Sequence, residues 1–139
     1  MMIYIADLQR RLAIPKSKVR KLAESVLKGE GRRTEDLSLA FVDNREIRKI
    51  NRTFLKHDFA TDVLSFLLGD GNLLGEVVIS TEYAAREAKR HGLPVEEELL
   101  RYVAHGTLHL LGYDDVTAAK KKVMWSKQEG YLGKIHRTR

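Results

Sequence analysis

Apolar positions recur along the chain with two different periods. Met2 to Ala6 is short and largely apolar, and predicts a first strand. Pro15 sits where a first helical turn tolerates its ring, and Val19, Leu22, Ala23, Val26 and Leu27 follow at helical spacing, with Gly29 as the stop. Leu37 to Val42 alternates large and small residues and predicts a second strand. Asp43, followed three residues later by Glu46, is a capping-box-like helix start. The helix it opens turns Ile47, Ile50 and Phe54 inward and Arg45, Arg48, Lys49 and Arg52 outward. Asp62 to Phe66 and Gly75 to Ser80 read as two further strands, joined by a glycine-rich turn around Gly69 to Gly71.

Ser80 or Thr81 caps the next helix, which ends in Lys89-Arg90-His91 before Gly92, cations that suit the negative helix end. Pro94 with Glu96, Glu97 and Glu98 marks another strong start. That helix runs through Leu99, Leu100, Val103, Leu108 and Leu111 to Gly112, and its nearly all-round apolarity predicts a central position. A last helix extends from about Thr117 to Leu132. The pattern predicts an α+β fold, three to four strands packed against about five helices. With no repeat, low-complexity tract or linker, residues 1–139 are expected to form a single domain.

Composition narrows the class. No run approaches the roughly 20 apolar residues of a membrane helix. The N-terminus, Met1 to Asp7, is charged too early for a secretory signal, so the expected location is cytoplasmic. Cysteine is absent, which excludes disulfides, thiolate zinc sites and a cysteine nucleophile. The net charge of +6 is unevenly spread. Residues 1–33 carry nine basic and three acidic side chains, residues 34–115 nine and fifteen, and residues 116–139 seven and one. Two basic ends thus flank an acidic middle, an arrangement suited to a polyanion passing a cation-holding centre.

The richest chemistry lies in His105-Gly106-Thr107-Leu108-His109-Leu110-Leu111-Gly112-Tyr113-Asp114-Asp115. Histidines at i and i+4 share one helical face, near enough to hold one ion. Gly112 breaks the helix, and the chain can then bring Asp114 or Asp115 back towards them. Two imidazoles and a carboxylate make a catalytic zinc set with a position left for water. The HExxH arrangement of metalloproteases needs glutamate where this chain has Gly106, which counts against a peptidase. Phosphodiester cleavage suits the same ion, because it polarises a phosphoryl oxygen. Thr61 to Phe66 reads first as a turn and a half-buried strand; the functional alternative makes the turn one wall of an active-site cleft, with Lys56 and His57 beside it to contact substrate phosphates, which spacing alone does not decide.

The segment His105 to Asp115 resembles the signature H-G-x-L-H-L-x-G-Y-D-H of YbeY-type endoribonucleases, the rRNA maturation factors, and ten of its eleven positions agree, the two variable ones included. Thr61 to Phe66 is similar to the family's T-D-V-L-S-F, and Leu74 to Ser80 to its L-G-D-I-x-I-S; Met124 and Glu129 sit where its last helix has similar residues. The likeness spans roughly residues 35 to 132. It implies an α+β fold with a small mixed sheet and one divalent metal ion, Zn2+. It also implies cleavage of single-stranded RNA in 16S rRNA 3′-end maturation and ribosome quality control. The implied partners are rRNA and the small ribosomal subunit, without membrane association or DNA specificity.

By position, His105, His109 and Asp115 would be the catalytic metal ligands. The chain departs from the pattern at Asp115, where the family has histidine, and at Leu55, where the family has an arginine. Arg52, Lys56 and His57 are the nearby candidates for RNA contact. Two other function classes stand beside this one. One is an RNA- or ribosome-binding assembly factor with a mainly structural metal, and the other a metal-dependent hydrolase of another ester or amide.

Overall fold

The structure is a computed structural model and describes residues 1–137; the last two residues of the basic C-terminal segment, 138 and 139, lie outside it. The chain forms β1 (Ile3–Asp7), α1 (Lys16–Gly29), β2 (Asp36–Val42), α2 (Asn44–Ile50), a π-helical turn (Asn51–Leu55), β3 (Val63–Asp70), β4 (Leu73–Ser80), α3 (Thr81–His91), α4 (Val95–Leu110) and α5 (Ala118–Arg137). The four strands make one mixed sheet in the order β1-β2-β4-β3. The first three in that order run parallel, with Ile3 opposite Leu37 and Leu37 opposite Gly75, while β3 pairs antiparallel with β4 at the edge. This is the expected α+β architecture. No helix among the described residues is long and apolar enough to cross a membrane.

Strand periodicity divides the core between the two faces of the sheet. Leu37, Leu39 and Phe41 of β2 and Val77 and Ile79 of β4 join the large cluster with α1, α3, α4 and α5. Their alternates, Ala40, Val42, Leu64 and Val78, pack on the opposite face with Ile47 of α2. The expected caps form: Asp43 accepts a hydrogen bond from the Glu46 amide at 2.8 Å and Ser80 from the Tyr83 amide at 3.1 Å. Thr117, just ahead of α5, likewise accepts from the Lys120 amide at 3.1 Å.

Two expectations need correction. Phe54 was expected to face inward with Ile47 and Ile50, but it is 67% exposed and rests edge-on against Phe66 at 5.8 Å. The π-helical turn after Ile50 adds a residue to the helical circuit and rotates the following positions. Asn51, one α-helical turn after Ile47 and ahead of that rotation, is buried, its amide donating to the Phe59 carbonyl at 3.0 Å. The hairpin also differs: β3 runs four residues beyond Phe66 to Asp70, and the turn narrows to Gly71 and Asn72. Pairing resumes at Asp70 opposite Leu73 after a register shift, so Leu67 and Leu68 extend as exposed strand.

α4 lies between the sheet and the other helices, touching β3, β4, α1, α3 and α5. It approaches the sheet tightly at Gly106. A Cβ there would overlap Val77 of β4 and come within 2.9 Å of Val63 Cγ2 and 3.2 Å of Ser65 Oγ, both of β3. Ser65 Oγ donates to the Gly106 carbonyl at 2.9 Å, fastening the helix to the strand. On the far side, Glu30 just beyond α1 accepts hydrogen bonds from the hydroxyls of Tyr113 and Tyr131 and pairs with Lys127 at 3.3 Å. Burial raises the carboxyl's pKa, but these donors outweigh it and hold the group below the usual carboxylate range.

Two stability predictions follow from these contacts. A glycine inside an exposed helix costs about 1 kcal/mol relative to alanine, so Gly106→Ala would ordinarily stabilise. Here overpacking against two strands is expected to reverse the sign, with a net loss of about 1–3 kcal/mol in urea denaturation. Glu30→Gln is expected to lose about 1–3 kcal/mol at neutral pH. Because the folded pKa of Glu30 lies below its ordinary 4.5, that contribution is present above pH 4.5 and lost as pH falls through the folded value. The gap between Glu30→Gln and the parent should therefore close in acid unfolding curves.

Candidate metal centre

α4 presents His105 and His109 on the face that flanks the start of β3, as their i, i+4 spacing requires. The rings meet edge to face with centroids 4.7 Å apart, and their Nε2 atoms face each other at 3.1 Å. After Leu110 the chain reverses through Gly112, whose φ of +97° is one that residues with a Cβ rarely adopt. The Tyr113 amide then bonds back to the Leu108 carbonyl at 3.1 Å, and the Tyr113 hydroxyl is anchored on Glu30. Of the two following carboxylates, Asp114 accepts from the Val116 amide at 3.1 Å and lies 3.7 Å from Lys120 Nζ. Asp115 turns towards the rings: one oxygen of its carboxylate and one nitrogen of each histidine lie within 4.8 Å of one another.

The hydrogen bonds behind His105 assign the atom of that ring that carries the lone pair. Gln128 is buried on α5, and its amide nitrogen donates to the Glu129 carboxylate at 3.1 Å. A carboxylate only accepts, so the amide oxygen is the atom left to face His105 Nδ1 at 2.9 Å. Nδ1 must then carry the proton, which leaves the neutral ring's Nε2 with its lone pair pointing at His109. Glu129 is itself held by Arg101, through Nη2 at 2.9 Å, and Arg101 also grips Glu97 and Glu98 at 3.0 and 3.2 Å. Burial pushes the His109 imidazole below its ordinary pKa, the neighbouring His105 adds to this, and Asp115, the Tyr113 backbone and Asp114 pull the other way. A neutral ring is the form that ligates.

Two imidazole nitrogens and a carboxylate converging on one point suit a divalent cation, and the chemistry of the donor set is open to zinc. The protonated Nδ1 against a fixed acceptor is the second-sphere arrangement that orients metal-binding histidines. The group opens into a cleft of about 530 Å3, walled by Asp62, Val63, Leu64, Ser65 and Leu67. The stretch from Thr61 to Phe66 thus provides much of one side.

The residues named for RNA contact lie elsewhere. Arg52, Lys56 and His57 are exposed on the π-helical turn and the loop after it, and none is among the residues lining that cleft. Arg48 pairs with Asp58 at 2.9 Å and Arg52 approaches it at 4.0 Å, while His57 stacks on Phe59 at 5.5 Å. Leu55, also exposed, belongs to the same turn. Sequence reasoning missed Gln128 altogether. The available signal was a polar residue in the stripe of Met124, Tyr131 and Leu132, all buried on α5.

Fold and site together define an α+β protein whose central helix and following loop converge two imidazoles and a carboxylate beside a sheet edge. The family model described as Endoribonuclease YbeY matches residues 4–136. The chain belongs to that family. It is 42% identical over 123 residues to Endoribonuclease YbeY of Chloroherpeton thalassium, covering 88% of this chain and 87% of that protein. With the protein of the same name from Pelotomaculum thermopropionicum it shares 36% over 152 aligned positions, covering both chains fully. The solution structure of TM1509 from Thermotoga maritima superposes with a TM-score of 0.70 at 28% identity, over 96% of this chain and 89% of that one.

Replacing Gln128 by leucine removes the acceptor at His105 Nδ1 while keeping an apolar side chain of similar size. The expected result is a loss of about 10–100-fold in affinity for Zn2+, read by competition with a chromophoric chelator. Gln128→Glu retains an acceptor and should lose less.

Proposed function

We propose that this chain is a metal-dependent endoribonuclease that cuts single-stranded RNA and acts in 16S rRNA 3′-end maturation and ribosome quality control. Residues 1–139 work as a single domain, in the cytoplasm, on RNA of the small ribosomal subunit, without membrane association or DNA specificity. The observation that carries the reading is the convergence of His105, His109 and Asp115 within 4.8 Å at the mouth of an open cleft. Family membership supplies the substrate class, and the ribosomal role rests on the likeness between His105 to Asp115 and the family signature.

In this reading His105 and His109 offer their Nε2 lone pairs to one divalent ion, Zn2+, and Asp115 supplies the third donor and cancels one unit of its charge. When bound, the ion polarises a phosphoryl oxygen and lowers the pKa of water to near neutrality. Gln128 keeps the His105 proton on Nδ1, away from the ion. Ser65 and the absence of a side chain at 106 hold the helix against the strand that walls the cleft. Arg52, Lys56 and His57 meet the RNA backbone outside the cleft.

A second reading, an RNA-binding assembly factor whose metal is mainly structural, is favoured by one observation. Leu55 brings no cation to the turn, and the nearby Arg48 and Arg52 share Asp58. It predicts salt-sensitive RNA binding without turnover. The decisive variant is His109→Ala, assayed for cleavage of a single-stranded oligoribonucleotide, for bound zinc by elemental analysis, and for folding by circular dichroism. Cleavage is expected to fall to background and the zinc content well below one per chain, with the fold retained. Full cleavage by this variant would sink the mechanism, and a parent protein that binds zinc and RNA but never cleaves would favour the assembly factor.

A further inference from the structure

A second cavity, of about 450 Å3, lies between α4, α5 and the end of α3. Asp62, His105 and Asp115 line both this cavity and the cleft, so the two spaces join at the proposed ligands. Its deeper wall is Tyr102 and Met124, both buried, and Leu93 adds to the apolar lining. At its edge stands Trp125, the chain's one tryptophan, with 57% of its surface exposed. A large indole left open on a charged helix, beside a concave apolar surface, marks a binding site better than it serves the core.

The charges around the cavity decide what fits. Arg101 is spent on Glu97, Glu98 and Glu129, and His91 lies 3.4 Å from Glu87. Of the three carboxylates in the wall, Glu98 is neutralised by Arg101 and Asp115 belongs to the proposed metal group, which leaves Asp62 to repel phosphate and accept hydrogen bonds. An uncharged flat ring that donates N–H groups is the complementary ligand. Lys121, exposed and also in the lining, suits the phosphate attached to such a ring.

We propose that this cavity receives an unpaired nucleobase bearing an exocyclic amino group, stacked on Trp125, from the RNA strand whose phosphate lies at His105, His109 and Asp115. This rests on the endoribonuclease reading, and it makes Trp125 a residue that determines which base flanks the cut. Stacking platforms of this kind select single strands, because a paired base cannot leave its partner to enter.

Trp125 provides its own probe, as no other tryptophan contributes to the fluorescence. Titration of the metal-loaded protein with cytidine 5′-monophosphate is expected to quench that emission at lower concentration than uridine 5′-monophosphate, and ribose 5-phosphate should leave it unchanged. Cytosine and uracil share a ring size and differ in the amino group, so equal quenching by the two would overturn the proposal, as would quenching by ribose 5-phosphate. With a single-stranded RNA substrate, Trp125→Ala should raise KM about tenfold and lower kcat far less, with Trp125→Phe recovering most of the loss. An unchanged KM in Trp125→Ala would also overturn it. Nucleotide-specific quenching in a protein that cuts no RNA would uphold the pocket and overturn the endoribonuclease reading instead.

Discussion

The contact on which the rest of the site depends is the approach of α4 to the sheet at Gly106. Three atoms from two strands occupy the space a Cβ would need, and Ser65 closes the gap with a hydrogen bond to the helix backbone. That closeness brings His105 and His109 against the opening residues of β3, so one short strand becomes the wall of their cleft. It also removes any room for the glutamate that a metalloprotease carries at this point of the helix. A glycine that weakens the helix locally therefore serves two ends, placing the imidazoles and excluding one class of general base.

Behind the histidines the order of the groups matters more than their number. Arg101 holds Glu129, Glu129 holds the amide of Gln128, and Gln128 holds the proton on His105. A partly buried ionic cluster of this kind is weak evidence for stability, because the cost of taking charges out of water rivals the attraction between them. Its consequence here is orientational: with one carboxylate fixed, each following group has a single satisfactory arrangement. Glu30 performs a similar task on the other flank. By gripping Tyr113 it fixes the turn after Gly112, and the position of Asp115 follows two residues later.

Much of this was legible in the sequence where local rules decide. The alternation in β2 and β4, the caps at Asp43 and Ser80, and the apolar circumference of α4 all carried through to the structure. The histidine pair was legible because helical spacing alone puts i and i+4 together. Phe54 was not, since a π-helical turn leaves no periodic trace and shifts every later position. The choice between Asp114 and Asp115 needed coordinates: Asp114 is engaged by the Val116 amide and Lys120, partners set by how α5 begins. Gln128 and Trp125 depend on how α5 lies across α4, a relation between elements that no single window of sequence contains.

The charge pattern gains a geometry as well. α1 and α5, which carry much of the two basic ends, pack against each other and are tied by Lys127 and Glu30, both on the helical side of the sheet. Their charge acts over roughly a Debye length of about 8 Å at physiological salt, enough to draw a polyanion towards the surface without choosing where it is cut. Close to the centre the sign reverses, with Asp62 and Asp115 in the walls of the cleft and Asp114 one residue away. A phosphate that reaches this point meets repulsion unless a cation already sits between the imidazoles. On the proposed endoribonuclease reading, occupancy of the metal position and entry of the RNA backbone would be coupled: the ends would raise the local concentration of substrate, and the ion would convert an acidic cleft into one that a phosphodiester can enter.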